Sequence, residues 1–372
     1  MIPSPTWLEI DLNAIRANLR RLRELAGEAG VMAVVKANAY GHGAVAVSRA
    51  AAEAGAAWLG VARAGEGLEL RAAGLRLPIL VMGYAPPDAA AESIANDLTL
   101  TVYDLGTANA YAAAARQQGQ TVRVHIKLDS GMGRLGIAAE DGLAFARALA
   151  GLDGLTVDGL FTHFAGSDMA DQTSALKQVQ RLEASLQALS AAGLRPPRVH
   201  AANSGAVLRR PEARYDLVRS GILLYGLDPS DEVPRPAGFE PALTWKASIA
   251  QVKTLPPGHG VSYGAEYVTT ESETVAVLPA GYADGFRRVP KRVNSVLIGG
   301  QTAPVRGRVC MDQIVVGVSH LRPAVRVGDE AVLIGRQDGE AISAETLGQR
   351  WGTINYDVTS GIMARVERRY SS

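Results

Sequence analysis

At 372 residues the chain exceeds one ordinary domain, and two are expected. With 47% hydrophobic and 20% charged residues it has a globular composition, and a net charge of +1 gives no electrostatic reason for nucleic acid or an anionic membrane as partner. No apolar run reaches the roughly 18 residues of a membrane span, MIPSPTWLEIDL lacks the features of a secretory signal, and the single cysteine, Cys310, excludes an intrachain disulfide and a CxxC zinc site.

Leu12, Ile15, Leu19, Leu22 and Leu25 recur at helical spacing behind Asp11, a candidate N-cap, so a helix is predicted over 12–25. Eight β-rich runs follow, most of them separated by Ala-rich helical stretches: 31–38, 58–63, 78–84, 98–104, 121–129, 155–165, 198–204 and 217–226. The clearest helix among them is 171–191, with Leu176, Val179, Leu182, Leu186 and Leu189 on one face. This alternation predicts an α/β fold, an N-terminal (β/α)8 barrel over residues 1–240, although a doubly wound open sheet produces much of the same pattern. DPSDEVPRPAGFEP (228–241) reads as a linker. The short runs beyond it, at 243–255, 273–279, 294–299, 313–318 and 330–335, predict a second, mostly β domain over 241–372.

The chain has only six lysines among its 38 basic residues, and two of them, Lys36 and Lys127, sit inside apolar strand-like runs. Active-site residues of such barrels project from the C-terminal ends of the strands, and Lys36, His163, Asn203, Ser204 and Arg219 all fall there. Each alone has a plainer reading: a satisfied core histidine, a solvent-facing lysine, a helix cap. Their convergence on one end of one barrel carries the weight. Ser204-Gly205 opens a helical turn after the seventh run, and Gly221 lets backbone approach a ligand after the eighth, where phosphate often binds. A strand-one lysine with such a cradle suits a phosphorylated aldehyde cofactor. GMGRLG (131–136) matches the dinucleotide fingerprint, with Asp153 or Asp158 about 20 residues on, but it follows the fifth strand and leaves Lys36 without a role. There is no P-loop and no HExxH, and the six scattered histidines suggest no metal site.

Nine motifs, in order, resemble those of the alanine racemase family along nearly the whole chain. They are AVVKANAYGHG (33–43), IKLDSGMGRLG (126–136), THFAGSD (162–168), HAANSG (200–205), LVRSGILLYG (217–226), GVSYGAEY (260–267), PAGYADG (279–285), GRVCMDQ (307–313) and GTINYDV (352–358). A shared barrel alone would be far less specific. The resemblance implies a cytoplasmic, homodimeric enzyme that uses pyridoxal 5'-phosphate to interconvert L- and D-alanine for peptidoglycan. Lys36 would form the Schiff base with the cofactor and act as base on one face. Tyr263, supplied by the second subunit, would be the base on the other. Tyr40, Ser204, Gly221, Ile222 and Tyr356 would hold the phosphate, with Asn203 beside Ser204. Arg219 would face the pyridine nitrogen and be oriented by His163. Arg134 would donate to the phenolic oxygen and join the Met311 N–H on the substrate carboxylate. Lys127 matches a lysine that some members carry as a carbamate; the plainer alternative pairs it, unmodified, with Asp129. Tyr282, Asp168, Arg288 and Arg308 match positions lining the family's substrate entrance.

The chain departs from the family pattern at Ser130, where Thr is commoner, and at Ser220, where Pro is common before the phosphate loop. MARVERRY near the C-terminus lacks the prolines often found there. A serine or broad-spectrum racemase is the near rival, because one methyl or hydroxyl shifts preference by only about 1–3 kcal/mol in an apolar pocket. A non-catalytic cofactor-binding barrel would lack the β domain with Tyr263. A barrel decarboxylase would set an acidic residue, not Arg219, against the pyridine nitrogen.

Overall fold

The computed structural model describes residues 4–289 and 293–372, so Lys291 lies outside the described residues. The chain divides into two compact units, Ala14–Glu240 and a second made of Pro241–Ser372 together with the N-terminal segment to Asn13.

In the first unit, eight parallel strands among the described residues follow one another along the chain, the first seven pairing in order: Gly30–Val34, Trp58–Val61, Ile79–Val81, Leu98–Val102, Val122–Asp129, Leu155–Phe161, Val199–His200 and Leu217–Ser220. The last also pairs with the first, Leu217 opposite Gly30 through Ser220 opposite Ala33. The seventh and eighth are linked by Asp216 N–H to Val199 O at 3.0 Å and Arg219 N–H to Ala202 O at 2.8 Å. The sheet therefore closes on itself, and a barrel rather than an open sheet is the fold. Met32, Trp58, Leu80, Phe161 and Leu217 pack together as part of its core.

Several boundaries differ from the sequence pattern. The eighth run is not one strand: it stops at Ser220, and Ile222–Tyr225 form a 3-10 turn ended by Gly226 at φ 69°. All four turn side chains are buried, and a short buried apolar run looks the same in a strand or a turn. The helix Thr173–Ala191 buries Ala175, Gln178, Leu182, Leu186 and Leu189, whereas Leu176 is 44% exposed. Its buried face is turned because Gln178, a polar residue, is needed inside for hydrogen bonds. Residues 228–240 are packed rather than a loose linker, with Val233 and Phe239 buried and Arg235 paired to Asp228 at 2.6 Å.

The second unit takes the chain's first strand. Thr6–Asp11 lies antiparallel to Leu243–Ser248 and parallel to Glu367–Ser371, burying Trp7, Leu8 and Ile10. The first unit therefore does not begin at residue 1. Asp11 ends that strand and its Oδ1 accepts the Asn13 N–H at 2.8 Å, opening the helix Leu12–Ala26 as the periodicity predicts. The run 243–255 splits at Ser248, since Gln251–Leu255 joins a different sheet with Glu273–Leu278 and Ile314–Gly317. Among the described residues, no helix is long and apolar enough to cross a membrane.

Candidate active site

In the first unit the strand ends at Val34, and Lys36 opens a turn unlike its neighbours. Ala37, Asn38, Ala39 and Tyr40 all have φ of 52° or 53°, the left-handed region. That conformation costs L-residues roughly 1–2 kcal/mol each. Backbone clamps hold it: Ala37 N–H donates to Glu66 Oε1 at 2.6 Å, and Asn38 Oδ1 accepts from Ala44 N–H at 2.8 Å. The other Glu66 oxygen takes the N–H groups of Ala62 and Arg63 at 2.8 and 3.1 Å. Strain held this firmly belongs at a functional turn. Burial, then the charges of Arg134 and Arg219, hold the half-buried Lys36 amine below its usual range, with Glu66 opposing. The neutral, nucleophilic form is thereby favoured.

Arg219 is 3% exposed, and its partners are backbone carbonyls and imidazoles. Nη1 donates to His200 Nδ1 and His200 O, both at 2.9 Å; Nη2 donates to Thr162 O and Ala201 O, both at 2.8 Å, and meets His163 Nδ1 at 3.3 Å. His163 thus touches Arg219, as expected, but His200 does so at shorter range and was missed. Both are polar residues in apolar strands, so the same signal marked each. Burial lowers the guanidinium to about 9, which leaves it protonated at neutral pH. These contacts all run from the two Nη atoms, and no hydrogen bond from Nε is found among the described residues.

Lys127 is buried, its Nζ 4.3 Å from the Phe161 ring centroid, and Arg219 lies 5.4 Å from the same ring. Burial first, then Arg219 and Arg134, push its amine well below the lysine range. Asp129 is committed elsewhere: its carboxylate accepts from the N–H groups of Gly131, Met132, Gly133 and Arg134, at 2.9, 2.8, 3.2 and 3.2 Å. The GMGRLG donors are therefore spent on the protein's own anion and offer no pyrophosphate cradle. They shape the loop that presents the exposed Arg134.

At the other side of the mouth, Ser204 Oγ accepts from Gly221 N–H at 3.1 Å and Leu223 N–H at 3.4 Å. A Cβ on Gly221 would sit 2.4 Å from Tyr40 Oη, so glycine is what admits the Tyr40 hydroxyl here. Ile222 starts its 3-10 turn, so its N–H has no acceptor within that turn. Burial pushes the Tyr40 hydroxyl up, so it stays a neutral donor. Asn203 caps the helix Ser204–Arg209: Oδ1 takes Ala206 N–H at 3.0 Å and the Ser167 hydroxyl at 2.7 Å, leaving only its amide nitrogen for a ligand. Ser220 is fully buried, with Oγ 3.4 Å from Ser204 Oγ; Ser130, also buried, pairs with the Thr162 hydroxyl at 2.7 Å.

In the second unit, Tyr263 is 65% exposed and Met311 52% exposed. Ser262, just before Tyr263, is held at φ 62° and donates to Arg308 O at 2.6 Å while touching Cys310 Sγ at 3.1 Å, so the loops carrying Tyr263 and Met311 are tied together. Arg308 pairs with Glu266. Arg365 bridges Asp284 and Asp312, both at 2.6 Å, bracing the segment after Met311. Tyr356 is half-buried on the helix Asn355–Ser360, Tyr282 and Arg288 are exposed, and in the first unit Asp168 is half-buried. No group of three metal-ligating side chains exists among the described residues.

The chain matches the family descriptions "Alanine racemase, N-terminal domain" over residues 10–229 and "Alanine racemase, C-terminal domain" over residues 242–370. A relative from Desulfovibrio desulfuricans named alanine racemase is 46% identical over 98% of each chain. One from Symbiobacterium thermophilum, with the same name, is 48% identical over 98% of this chain and 97% of its own. A solved alanine racemase from Clostridium difficile 630 superposes with a TM-score of 0.95 at 40% identity, covering 100% of this chain and 97% of that one.

Proposed function

The chain belongs to the alanine racemase family, enzymes that interconvert the enantiomers of alanine, and on that premise we propose that pyridoxal 5'-phosphate binds at the barrel mouth and that Lys36 and Tyr263 are its two bases. The observation that carries the cofactor assignment is Arg219, buried and protonated, whose hydrogen bonds among the described residues all run from Nη1 and Nη2, which leaves Nε–H as the donor matched to a neutral pyridine nitrogen. When bound, the cofactor supplies an aldehyde for a lysine amine and a ring that draws electrons from the substrate Cα.

Each residue then has a defined task. Lys36, its amine held below the usual lysine range, would hold the aldehyde and move a proton at Cα on one face. Tyr263, contributed by the partner subunit of a homodimer, moves the proton on the other face. Arg219 can donate to the ring nitrogen but cannot hand over its proton, which limits electron withdrawal and suppresses transamination. Tyr40, Ser204 and the Gly221 and Ile222 N–H groups hold the phosphate, with Tyr356. Arg134 and the Met311 N–H hold the substrate carboxylate. Solved relatives described with cycloserine and with L-Ala-P support a site of amino-acid size. A cytoplasmic supply of D-alanine for peptidoglycan is the role that follows.

The test is to load the protein with pyridoxal phosphate, incubate it with L-alanine or L-serine, and separate enantiomers. Alanine should reach equal amounts of both forms, since enantiomers have equal free energy. Absence of D-alanine overturns the reading, and faster D-serine formation reassigns the substrate.

Lys127 is proposed to carry a carbamate. Its depressed amine supplies the lone pair that adds to the carbon of CO₂; the amine proton leaves to solvent, and an anion faces Arg134 and Arg219 in place of a repelled cation. Lys127→Ala is expected to lower kcat by about tenfold or more, and acetate should restore part of it. Full activity in the variant, or a loss that no short carboxylate rescues, leaves Lys127 unmodified.

A further inference from the structure

Behind Arg219 a line of polar side chains crosses the barrel wall. Arg219 Nη1 lies 2.9 Å from His200 Nδ1, and His200 Nε2 lies 2.8 Å from His125 Nδ1. His125 Nε2 in turn faces Asp158 Oδ2 at 3.5 Å, the long limit for a hydrogen bond, and has no nearer partner among the described residues. The two histidines are 0% exposed, and Asp158 reaches the surface with its side chain 14% exposed, paired there to Arg198.

The direction of this line is fixed from both ends. A guanidinium has only donors, so His200 Nδ1 must be a lone pair and its proton sits on Nε2. That proton points at His125 Nδ1, which must accept, placing the His125 proton on Nε2. A carboxylate can only accept, and the Asp158 oxygen 3.5 Å from His125 Nε2 is the acceptor nearest that proton, a charge contact rather than a formed hydrogen bond. Reversing either imidazole would set two N–H groups, or two lone pairs, against each other in a buried space. Burial first pushes both histidines down, outweighing at His125 the opposing pull of Asp158, and Arg219 adds to it, so they are neutral relays rather than cations. The rings are also held sideways: His200 stacks on Phe161 at 4.8 Å and 5°, and His125 packs against Trp58 at 5.3 Å. Gly159 makes the room, because a Cβ there would come within 2.6 Å of the His125 ring.

We propose that Asp158, through His125 and His200, is a remote anchor that fixes the orientation of Arg219 and so of the one donor it has left. These three are positioning residues; none touches substrate or cofactor. The carboxylate also supplies a distant negative end for a buried cation that has no carboxylate among its own partners. The inference rests on the proposed pairing of Arg219 with the pyridine nitrogen only for its effect on cofactor binding; the tautomers stand without it.

Two measurements test it. In cofactor-free protein with ¹⁵N-labelled histidine, long-range ¹⁵N–¹H spectra should show His125 and His200 as neutral Nε2–H tautomers; an Nδ1–H tautomer or an imidazolium at either position overturns the anchor. In the holoenzyme, Asp158→Ala should weaken pyridoxal phosphate binding by about tenfold and lower kcat with little change in KM, as removal of an outer hydrogen-bond partner does. Asp158→Glu should recover most of both. Arg198→Gln, which removes the surface pair and leaves the carboxylate, should change neither. If Asp158→Ala and Arg198→Gln lose only thermal stability, and to the same extent, Asp158 is a structural ion-pair residue and the proposal is wrong. A wild type that binds no pyridoxal phosphate sinks the functional reading instead, and the tautomer spectrum alone then decides the anchor.

Discussion

Lys36→Ala is expected to lower racemisation by at least about 10⁴-fold, because it removes both a positioned proton carrier and the cofactor's covalent attachment. The wild-type protein should be yellow, and borohydride followed by peptide mapping should place the label on Lys36. The variant should lose the colour. Lys127, which lies in a barrel strand, is buried against Phe161 and offers no substitute. A label on another residue, or colour that persists in the variant after reduction, removes Lys36 from its role. The strained turn that follows Lys36 makes the prediction sharper, since four left-handed residues, clamped partly by Glu66, are held directly after that lysine.

Tyr263→Phe should cost about 10²- to 10⁴-fold, the usual value of one proton-transfer group. Deuterium washout from one enantiomer should fall far more than from the other, because Lys36 still serves its own face. Equal losses from both would sink the two-base assignment. The exposure of Tyr263 on its own unit motivates the second half of the test. Lys36→Ala and Tyr263→Phe proteins, each nearly inactive, should regain roughly a quarter of wild-type activity when mixed and allowed to exchange subunits. In a two-fold dimer, half the dimers would be mixed, and each would hold one intact site of two. No recovery under demonstrated exchange places both bases on one chain.

The residues expected to do chemistry were largely legible because each is an exception to its local pattern. Lys36 ends an apolar run and Lys127 interrupts one, in a chain that otherwise favours arginine, and Gly221 stands where a side chain would collide with Tyr40. Among the described residues no ion pair joins Lys127 to Asp129, whose carboxylate accepts from four backbone N–H groups, although its charge still opposes the lowering of the Lys127 amine. Nothing in the sequence marked Glu66 as the clamp on the Lys36 turn. It sits early in an ordinary helix, and its partner Ala37 is 29 positions away.

By itself the sequence determined the alternation of strands and helices, the β-rich second half, and the order of the nine motifs. Those signals are local, since periodicity and spacing are carried by residues within a dozen positions of one another. Only the tertiary structure decided that the sheet closes, through hydrogen bonds joining Val199 to Asp216 and Ala202 to Arg219. It alone decided that Thr6–Asp11 leaves the barrel's part of the chain for a sheet whose other strands begin at Leu243. It alone aligned Arg219, His200, His125 and Asp158. Each of these depends on which distant backbone donor or buried side chain finds its one available partner, and that choice is made by the packing of the whole unit rather than by any stretch of it.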